Sequence, residues 1–402
     1  MFRLTRFLKE LTEPTPVRPR RDLPGPVVIW NLVRRCNLKC KHCYSISADV
    51  DFPGELTTAE VFRTMDDLKA ARVPALILSG GEPLMRPDIF AIAERSRSLG
   101  FSTSLSSNGA LIDEAMADRI AAAGFDYVGV SLDGIGDTHD RFRGEDGAFR
   151  ASLRGVRLLV GRGVKVGLRF TMTMDNRDQF PALLDLMKAE GCTKFYLSHL
   201  NYSGRGNKNR GDDARLDVTR DAMRRLFAVA WADVLAGSER EYVTGNNDAD
   251  GAYLYLWARE VAPDRAEHLR AKLAEWGGNA SGVNVANIDN LGAVHPDTFW
   301  WDRSLGNVKD RPFGEIWADR SDPLMAGLKA RPRKIGGRCA TCRFFDMCGG
   351  NTRVRAWRLT GDAFAEDPAC YLDDAEIGAS PGAERLAVTP FRGQRHEAPS
   401  LL

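Results

Sequence analysis

Three cysteines stand close together near the start of the chain, Cys36, Cys40 and Cys43, in the stretch RRCNLKCKHCYS. The next cysteine is Cys192. A zinc ion would need His42 as its fourth ligand, and this residue, adjacent to Cys43, is poorly placed for that role. Three thiolates on a cubane iron–sulfur cluster leave one iron without a protein ligand, and such an iron can bind the amine and carboxylate of a small molecule. The spacing therefore favours a cluster with an open position.

A second cysteine set near the other end of the chain has four members, Cys339, Cys342, Cys348 and Cys370. Four thiolates complete the ligand set of a cubane cluster, and they also suit a structural zinc ion. We interpret the remaining Cys192 as a small buried residue. Thiols grouped in two sets indicate a reducing compartment, not a disulfide framework, so we expect the protein in the cytoplasm.

Composition narrows the classes of partner. The chain has 402 residues and a net charge of +2, which predicts one large and one smaller domain and argues against nucleic acid or a membrane surface as the main partner. Residues 1–26 begin with an amphipathic segment that lacks the apolar run of a signal peptide. No later run approaches the roughly 20 apolar residues of a membrane span.

The elements that position the first cysteine set come from a regular alternation of strand and helix patterns. The predicted strands are 27–33, 75–78, 101–105, 126–132, 164–173 and 194–200. Such alternation predicts a parallel sheet with right-handed crossovers. Six units are too few for a closed eight-stranded barrel, but they suit an open partial barrel or a doubly wound sheet, with the chemistry at the carboxyl ends of the strands. The cysteine loop, SGGEP (79–83), SSNG (106–109) and SLDG (131–134) all follow strands at that end.

The remainder of the chain has a different pattern. Helices are predicted around 214–236 and 253–276, separated from the second cysteine set by a segment rich in glycine and asparagine. Residues 379–402 are punctuated by proline and glycine without periodicity, which predicts a disordered tail.

The first cysteine set, followed by Tyr44 after the first predicted strand, resembles the signature of the radical S-adenosylmethionine (SAM) enzymes. The resemblance implies an α/β fold, a partial (β/α)6 TIM-like barrel over 27–236, and a [4Fe–4S] cluster whose open iron binds SAM. The reduced cluster then releases a 5'-deoxyadenosyl radical that abstracts a substrate hydrogen. The resemblance also implies SAM contacts from the strand-end loops, at Tyr44, Gly80, Gly81, Glu82, Pro83, Asn108 and Ser131. Glycines permit close backbone approach, and a carboxylate makes charge-assisted hydrogen bonds to an ammonium group.

The second cysteine set resembles the SPASM/twitch extension of one group of radical SAM enzymes, as do GNVKDRPFGEIW (306–317) and CGGN (348–351). The resemblance implies a smaller C-terminal iron–sulfur domain over 301–378, with an auxiliary [4Fe–4S] cluster on the four cysteines. A connecting region, 237–300, would contribute to the substrate site. The two-cluster version of this extension has further cysteines where this chain has Asp297 and Thr352, so we expect one auxiliary cluster. Its complete ligand set favours electron transfer or a structural role.

Three further stretches closely resemble the radical SAM enzymes of heme d1 biosynthesis: HLNYSGRGNKNRGDDA (199–214), TGNNDADG (244–251) and WGGNASGVNVANIDNLGAVHPDT (276–298). This resemblance implies an iron tetrapyrrole substrate, 12,18-didecarboxysiroheme, which loses propionates from rings A and B on the way to the ring oxo groups of heme d1. It also implies an electron donor such as flavodoxin or ferredoxin. A SPASM-type maturase acting on a peptide and another heme-pathway enzyme that modifies propionates remain alternatives. A non-catalytic electron carrier is disfavoured, because it needs no open iron.

A substrate with several carboxylates needs cationic partners, and Arg205, Lys208 and Arg210 lie just past the last predicted strand. We therefore predict that they bind the substrate, although a solvated loop is the alternative. His199 and His295 are predicted to be proton donors or ligands of the substrate iron, against the alternative of structural histidines.

Overall fold

The computed structural model describes residues 1–19, 24–379 and 385–391. Within these ranges the strands are β1 Val27–Asn31, β2 Ala75–Ser79, β3 Ser102–Ser107, β4 Tyr127–Ser131, β5 Val166–Met172, β6 Lys194–His199, β7 Glu241–Gly245, β8 Val285–Ile288 and β9 Val294–His295. The helices are α1 Leu4–Thr12, α2 Thr58–Ala70, α3 Ile89–Ser98, α4 Glu114–Ala123, α5 Asp137–Arg143, α6 Ala148–Gly161, α7 Phe180–Ala189, α8 Gly204–Lys208, α9 Leu216–Leu235, α10 Ala249–Val261, α11 Pro263–Trp276, α12 Phe313–Ala318, α13 Pro323–Lys329, α14 Phe345–Cys348, α15 Arg353–Thr360 and α16 Asp374–Ile377.

These strands form one sheet in the order β7-β6-β5-β4-β3-β2-β1-β8-β9. Neighbours from β7 through β8 are parallel, and β9 is antiparallel to β8. The predicted α/β fold with six parallel strands is confirmed, and the sheet continues beyond it, because β7 pairs with β6 and β8 pairs with β1. These two strands were not predicted, because runs of five and four residues are too short to show a clear period.

Local sequence signals explain where several helices begin. Thr57 and Glu60, three residues apart in the sequence, form a capping box at the start of α2. The helix predicted over 253–276 is instead two helices, α10 and α11, because Pro263 has no N–H group with which to continue α10 and lies in the first turn of α11. Among the described helices, none is both long and apolar enough to cross a bilayer.

The sheet curves around a central cavity that residues from every strand between β1 and β8 line. Within the described residues the two edge strands, β7 and β9, do not pair with each other, so the barrel is partial. The N-terminal segment lies on the β7 side, where Phe2 forms an antiparallel bridge with Thr244 and α1 packs on α9, α11 and β7. The apolar face of this predicted amphipathic segment is buried there, at Leu4, Phe7, Leu8 and Leu11.

The C-terminal helices surround a small hydrophobic core of their own, formed by Trp300, Leu324, Met325, Leu328, Val354 and Ala363. Residues 385–391 belong to the tail predicted to be disordered, but they contact the rest of the protein: Arg385 donates hydrogen bonds to the carbonyl oxygens of Cys370 and Leu372. These polar contacts link an aperiodic segment to the C-terminal helices, and the disorder of the tail stays a prediction. Its remainder, 380–384 and 392–402, lies outside the described residues.

Candidate active site

The central cavity has a volume of about 720 Å³ and contains the predicted chemistry at one end. Cys36, Cys40 and Cys43 all line it, at the carboxyl ends of the strands. Of the predicted SAM contacts, Tyr44, Gly80, Gly81, Asn108 and Ser131 line the same cavity. Its volume lies in the range of about 300–1,000 Å³ that is usual for small-molecule and cofactor sites.

Long-range hydrogen bonds hold the cysteine loop in place. The N–H groups of Lys39 and Lys41 donate to the carbonyl oxygens of Arg143 and Phe142, at the end of α5. From the opposite side, the Arg205 guanidinium donates to the carbonyl oxygen of Cys40 over 2.7 Å, and to that of Ser47 over 3.0 Å. These bonds fix the backbone on both sides of the three sulfurs, although the loop has little regular secondary structure.

Each sulfur of the first cysteine set has a polar neighbour. Arg143 Nη1 lies 3.4 Å from Cys40 Sγ, and the same guanidinium forms a buried ion pair with Asp133. The N–H of Leu38 lies 3.5 Å from Cys36 Sγ. Three thiolates can serve as the protein ligands of a cluster with one open iron, and the N–H groups of Arg143 and Leu38 can stabilise the negative charge on the sulfurs.

Burial and hydrogen bonding have opposite effects on the pKa values of these thiols. Burial raises the pKa of Cys36 to about 12, with a further contribution from the Glu82 carboxylate. Burial also acts to raise the pKa of Cys43, but hydrogen bonds from Ser45 and Ser47 and the charge of Arg205 bring it below its ordinary value. Cys43 is therefore the thiol that this environment best stabilises as a thiolate.

The predicted SGGEP contacts divide into two groups. Gly80 and Gly81 line the cavity, and a Cβ atom at either position would overlap the backbone of the cysteine loop, at Val33 and Arg35 respectively. The glycines are thus required for the close approach of two loops. In contrast, Glu82 and Pro83 do not line the cavity.

Glu82 is fully buried and braces a neighbouring loop. Its carboxylate accepts hydrogen bonds from the N–H of Asn108, over 2.7 Å, and from the hydroxyl of Ser107, over 2.8 Å. Burial raises its pKa to about 7, and the hydrogen bond from Asn108 partly offsets that rise. Through these hydrogen bonds the Glu82 carboxylate positions Asn108 at the cavity wall. From the sequence, the Glu82 carboxylate itself was expected to contact SAM there.

The second cysteine set surrounds a separate small pocket lined by Cys339, Cys342, Cys348 and Cys370. Cys370 reaches it because Arg355 and Asp367 form a fully buried, two-point ion pair at 2.7 and 2.9 Å that anchors the segment before Cys370. Four thiols around a void fit the ligand set of a cubane cluster. Among the described residues, no three His, Cys, Asp or Glu side chains are grouped as ligands of a single metal ion.

The basic loop that was predicted to bind substrate does not line the cavity. Arg205 braces the cysteine loop, Lys208 is exposed, and Arg210 donates to the carbonyl oxygen of Thr389 in the C-terminal segment. None of Arg205, Lys208 and Arg210 lines the cavity, because the loop folds back over the cysteine loop, and their role in substrate binding stays a prediction.

Arg169, which was not predicted from the sequence, is a cation on the inner face of the barrel. It projects from β5 into the cavity, donates to the hydroxyl of Ser106, and lies 5.2 Å from the centre of the Tyr196 ring. Within the described part of the chain it forms no ion pair. A lone arginine in the otherwise apolar VGLRFTM strand was the available signal.

The two predicted histidines have different surroundings. His199 ends β6 and lines the cavity. His295 is buried outside it, with Nδ1 bonded to the carbonyl oxygen of Arg303 and Nε2 3.3 Å from Asp289. Both ring nitrogens of His295 therefore have partners in the protein interior, away from the cavity, and its role as a proton donor or iron ligand stays a prediction.

Asp297 and Thr352 occupy the positions at which the two-cluster SPASM/twitch extension is expected to have cysteines. Both residues line the central cavity. Asp297 accepts a hydrogen bond from the hydroxyl of Ser281, and burial raises its pKa. The Thr352 hydroxyl donates to the carbonyl oxygen of Asn246 over 3.1 Å. This part of the cavity is therefore walled by neutral and acidic oxygen groups, not thiols.

Comparison with known proteins agrees with this architecture. A model of the radical SAM superfamily matches residues 30–187. Pre-heme d1 synthase of Dinoroseobacter shibae is 56% identical over 399 residues, covering 99% of this chain and 98% of that protein. Fe-coproporphyrin III synthase of Methanosarcina barkeri is 45% identical, covering 88% and 89%. The solved structure of Streptococcus suis SuiB bound to S-adenosylmethionine matches with a TM-score of 0.67 at 17% identity, covering 87% of this chain and 78% of that one.

Proposed function

The chain belongs to the radical SAM superfamily, and on that basis we propose that it removes propionate side chains from rings A and B of 12,18-didecarboxysiroheme during heme d1 biosynthesis. The observation that carries this proposal is the 56% identity with pre-heme d1 synthase over 99% of the chain. The cavity of about 720 Å³, which joins the three thiols to the barrel interior, supports it by offering one space for SAM and substrate.

When bound, the [4Fe–4S] cluster and SAM supply a 5'-deoxyadenosyl radical, and the hydrogen we expect it to abstract is on a propionate methylene. We assign the cluster to Cys36, Cys40 and Cys43. The chain's own groups then bind and orient: Gly80 and Gly81 leave backbone free to approach SAM, and Asn108 and Ser131 offer side-chain hydrogen bonds.

Arg169 supplies the positive charge that the carboxylates of SAM or of the tetrapyrrole require inside the barrel. We further propose that one auxiliary [4Fe–4S] cluster is held by Cys339, Cys342, Cys348 and Cys370. An electron donor such as flavodoxin or ferredoxin would supply electrons to the protein. The separate pocket around these thiols supports an electron-transfer or structural role apart from SAM chemistry.

A second candidate has the same class of substrate and a different product. The 45% identity with Fe-coproporphyrin III synthase over 88% of the chain favours a related modification of tetrapyrrole side chains. A peptide substrate has weaker support, since the likeness to SuiB at 17% identity concerns the fold alone.

The test is turnover by the reduced enzyme after anaerobic reconstitution. It is incubated with SAM and either 12,18-didecarboxysiroheme or siroheme, and the 5'-deoxyadenosine and the porphyrinoid masses are measured. The proposal expects 5'-deoxyadenosine and loss of propionate mass with the didecarboxylated substrate, and transfer of deuterium from labelled propionates into 5'-deoxyadenosine. No 5'-deoxyadenosine above the substrate-free background would overturn it, and 5'-deoxyadenosine formed together with a porphyrinoid mass change other than propionate loss would favour the second candidate.

A further inference from the structure

Two of the described histidines, His42 and His199, line the central cavity. His42 lies inside the cysteine loop, between Cys40 and Cys43. It is therefore on the side of the cavity that we assign to the cluster. His199 lies at the end of β6, where the side chain can face a molecule held in the barrel.

A buried carboxylate fixes the orientation of the His199 ring. Asp250, which is fully buried in α10, lies 3.0 Å from His199 Nε2 through its Oδ2 atom. A carboxylate only accepts hydrogen bonds, so Nε2 carries the proton and donates it. Nδ1 is then the nitrogen with the lone pair, and within the described residues it has no hydrogen-bond partner.

Asp250 is itself held by two further donors. The hydroxyl of Tyr371 donates to Oδ1 over 2.7 Å, and the hydroxyl of Thr244 donates to Oδ2. The Tyr371 ring also stacks on that of His199, with centroids 6.4 Å apart and planes at 21°. The Asp250 carboxylate thus accepts three hydrogen bonds, and the His199 imidazole is restrained on two sides. So many fixed contacts are unusual around a histidine that has only a packing role.

We propose that His199 binds the iron of the tetrapyrrole substrate as an axial ligand through Nδ1, and that Asp250 is the positioning residue that keeps this nitrogen free. The inference rests on the proposed function, since it needs an iron tetrapyrrole in the cavity. A histidine that binds a metal commonly donates its other ring N–H to a carboxylate, which fixes the tautomer and raises the basicity of the ligand. The bond formed is one coordinate bond, and no electron or proton leaves the protein.

The test is an anaerobic titration of the reconstituted enzyme with 12,18-didecarboxysiroheme and, separately, with its iron-free form. Absorption spectra give the affinity, and pulsed EPR of protein labelled with 15N-histidine detects a nitrogen bound to ferric iron. We expect His199→Ala to lose the nitrogen coupling and to bind the iron form about 10- to 100-fold more weakly, with the iron-free form unaffected. Asp250→Asn should weaken the iron form about 10-fold, and Thr244→Val by a smaller factor.

Two controls separate ligation from a merely structural role. Added imidazole should restore the iron spectrum of His199→Gly, and His295→Gln should bind both forms as the wild type does. Iron content and SAM binding check that each variant is folded. Unchanged nitrogen coupling in His199→Ala overturns axial ligation, as does normal binding of the iron form with lost turnover, which would indicate proton transfer. A wild-type enzyme that binds neither form overturns the proposed function, whereas turnover with no histidine nitrogen on iron overturns only this inference.

Discussion

The guanidinium of Arg205 donates a hydrogen bond to the carbonyl oxygen of Cys40, 2.7 Å away, although 165 residues separate the two along the chain. The backbone N–H of Arg205 also donates to the carbonyl oxygen of Cys43, over 2.8 Å. Arg205, which follows the last predicted strand, therefore holds both ends of the Cys40–Cys43 segment. The polar loop after β6 thus supports the first cysteine set.

Replacing Arg205 by alanine should release this brace and weaken the first iron–sulfur site. We expect reconstituted iron to fall from about eight atoms per chain toward about four, with loss of SAM binding, because the auxiliary site does not depend on Arg205. Lys208→Ala is the matched control, because Lys208 is an exposed cation of the same loop. Full iron content with an increased KM for the tetrapyrrole in Arg205→Ala would instead support the substrate-binding role predicted from sequence.

The second cysteine set should be sensitive to a substitution far from it in sequence. Gly278 has a φ of +74°, and a Cβ atom there would overlap the carbonyl group of Cys348. Gly361 has a nearly equal φ of +76°, but no heavy atom lies within 4 Å of its Cβ position. Gly361→Ala should therefore cost only the left-handed backbone strain, about 1–2 kcal/mol.

Gly278→Ala should cost more than Gly361→Ala and should also reduce the iron bound at the second site. Thermal unfolding gives the stability difference, and EPR of the reduced protein reports each cluster separately. Equal melting temperatures and equal iron content in the two variants would show that Cys348 moves aside without loss.

Cys192 should be unreactive in the native enzyme. Its side chain is 2% exposed, and burial raises its pKa to about 12. At pH 8 the thiolate fraction is then on the order of one in ten thousand, so alkylation by iodoacetamide should be very slow until the protein unfolds. Mass spectrometry of peptides from native and denatured protein measures this difference. Rapid native labelling, or loss of iron in Cys192→Ala, would contradict a purely structural role.

Arg169 should contribute to the binding of an anionic ligand in the cavity. Arg169→Met removes the charge while keeping much of the side-chain length, and loss of a charged hydrogen bond of about 1.5–3 kcal/mol corresponds to roughly 10- to 100-fold weaker binding. Equilibrium binding of SAM and of the tetrapyrrole, measured separately, identifies which carboxylate it contacts. Arg157→Met, which removes a surface ion pair with Glu190, is the control and should bind both ligands normally. Wild-type affinity for both ligands in Arg169→Met would show that the charge is not used.

The sequence alone determined the features that depend on spacing along the chain. The six parallel strands, the capping box of Thr57 and Glu60, and the grouping of seven cysteines into two sets all follow from short-range patterns of residue type. Such patterns can be recognised in a sequence because hydrophobic periodicity, helix capping and metal-ligand spacing depend on residues that are close together along the chain. The resemblance to radical SAM enzymes came from the same kind of information.

The tertiary structure decided which polar residues reach the cavity. Arg169 lies in β5 and Arg205 lies shortly after β6, yet Arg205 supports a loop whereas Arg169 lines the cavity. No local sequence pattern distinguishes the two arginines. Likewise, His199 acquires its orientation from Asp250, 51 residues away, whereas His295 has both nitrogens bonded in the interior. The partner of a buried polar group is set by which segments the fold brings together, and that is information that residue spacing does not contain.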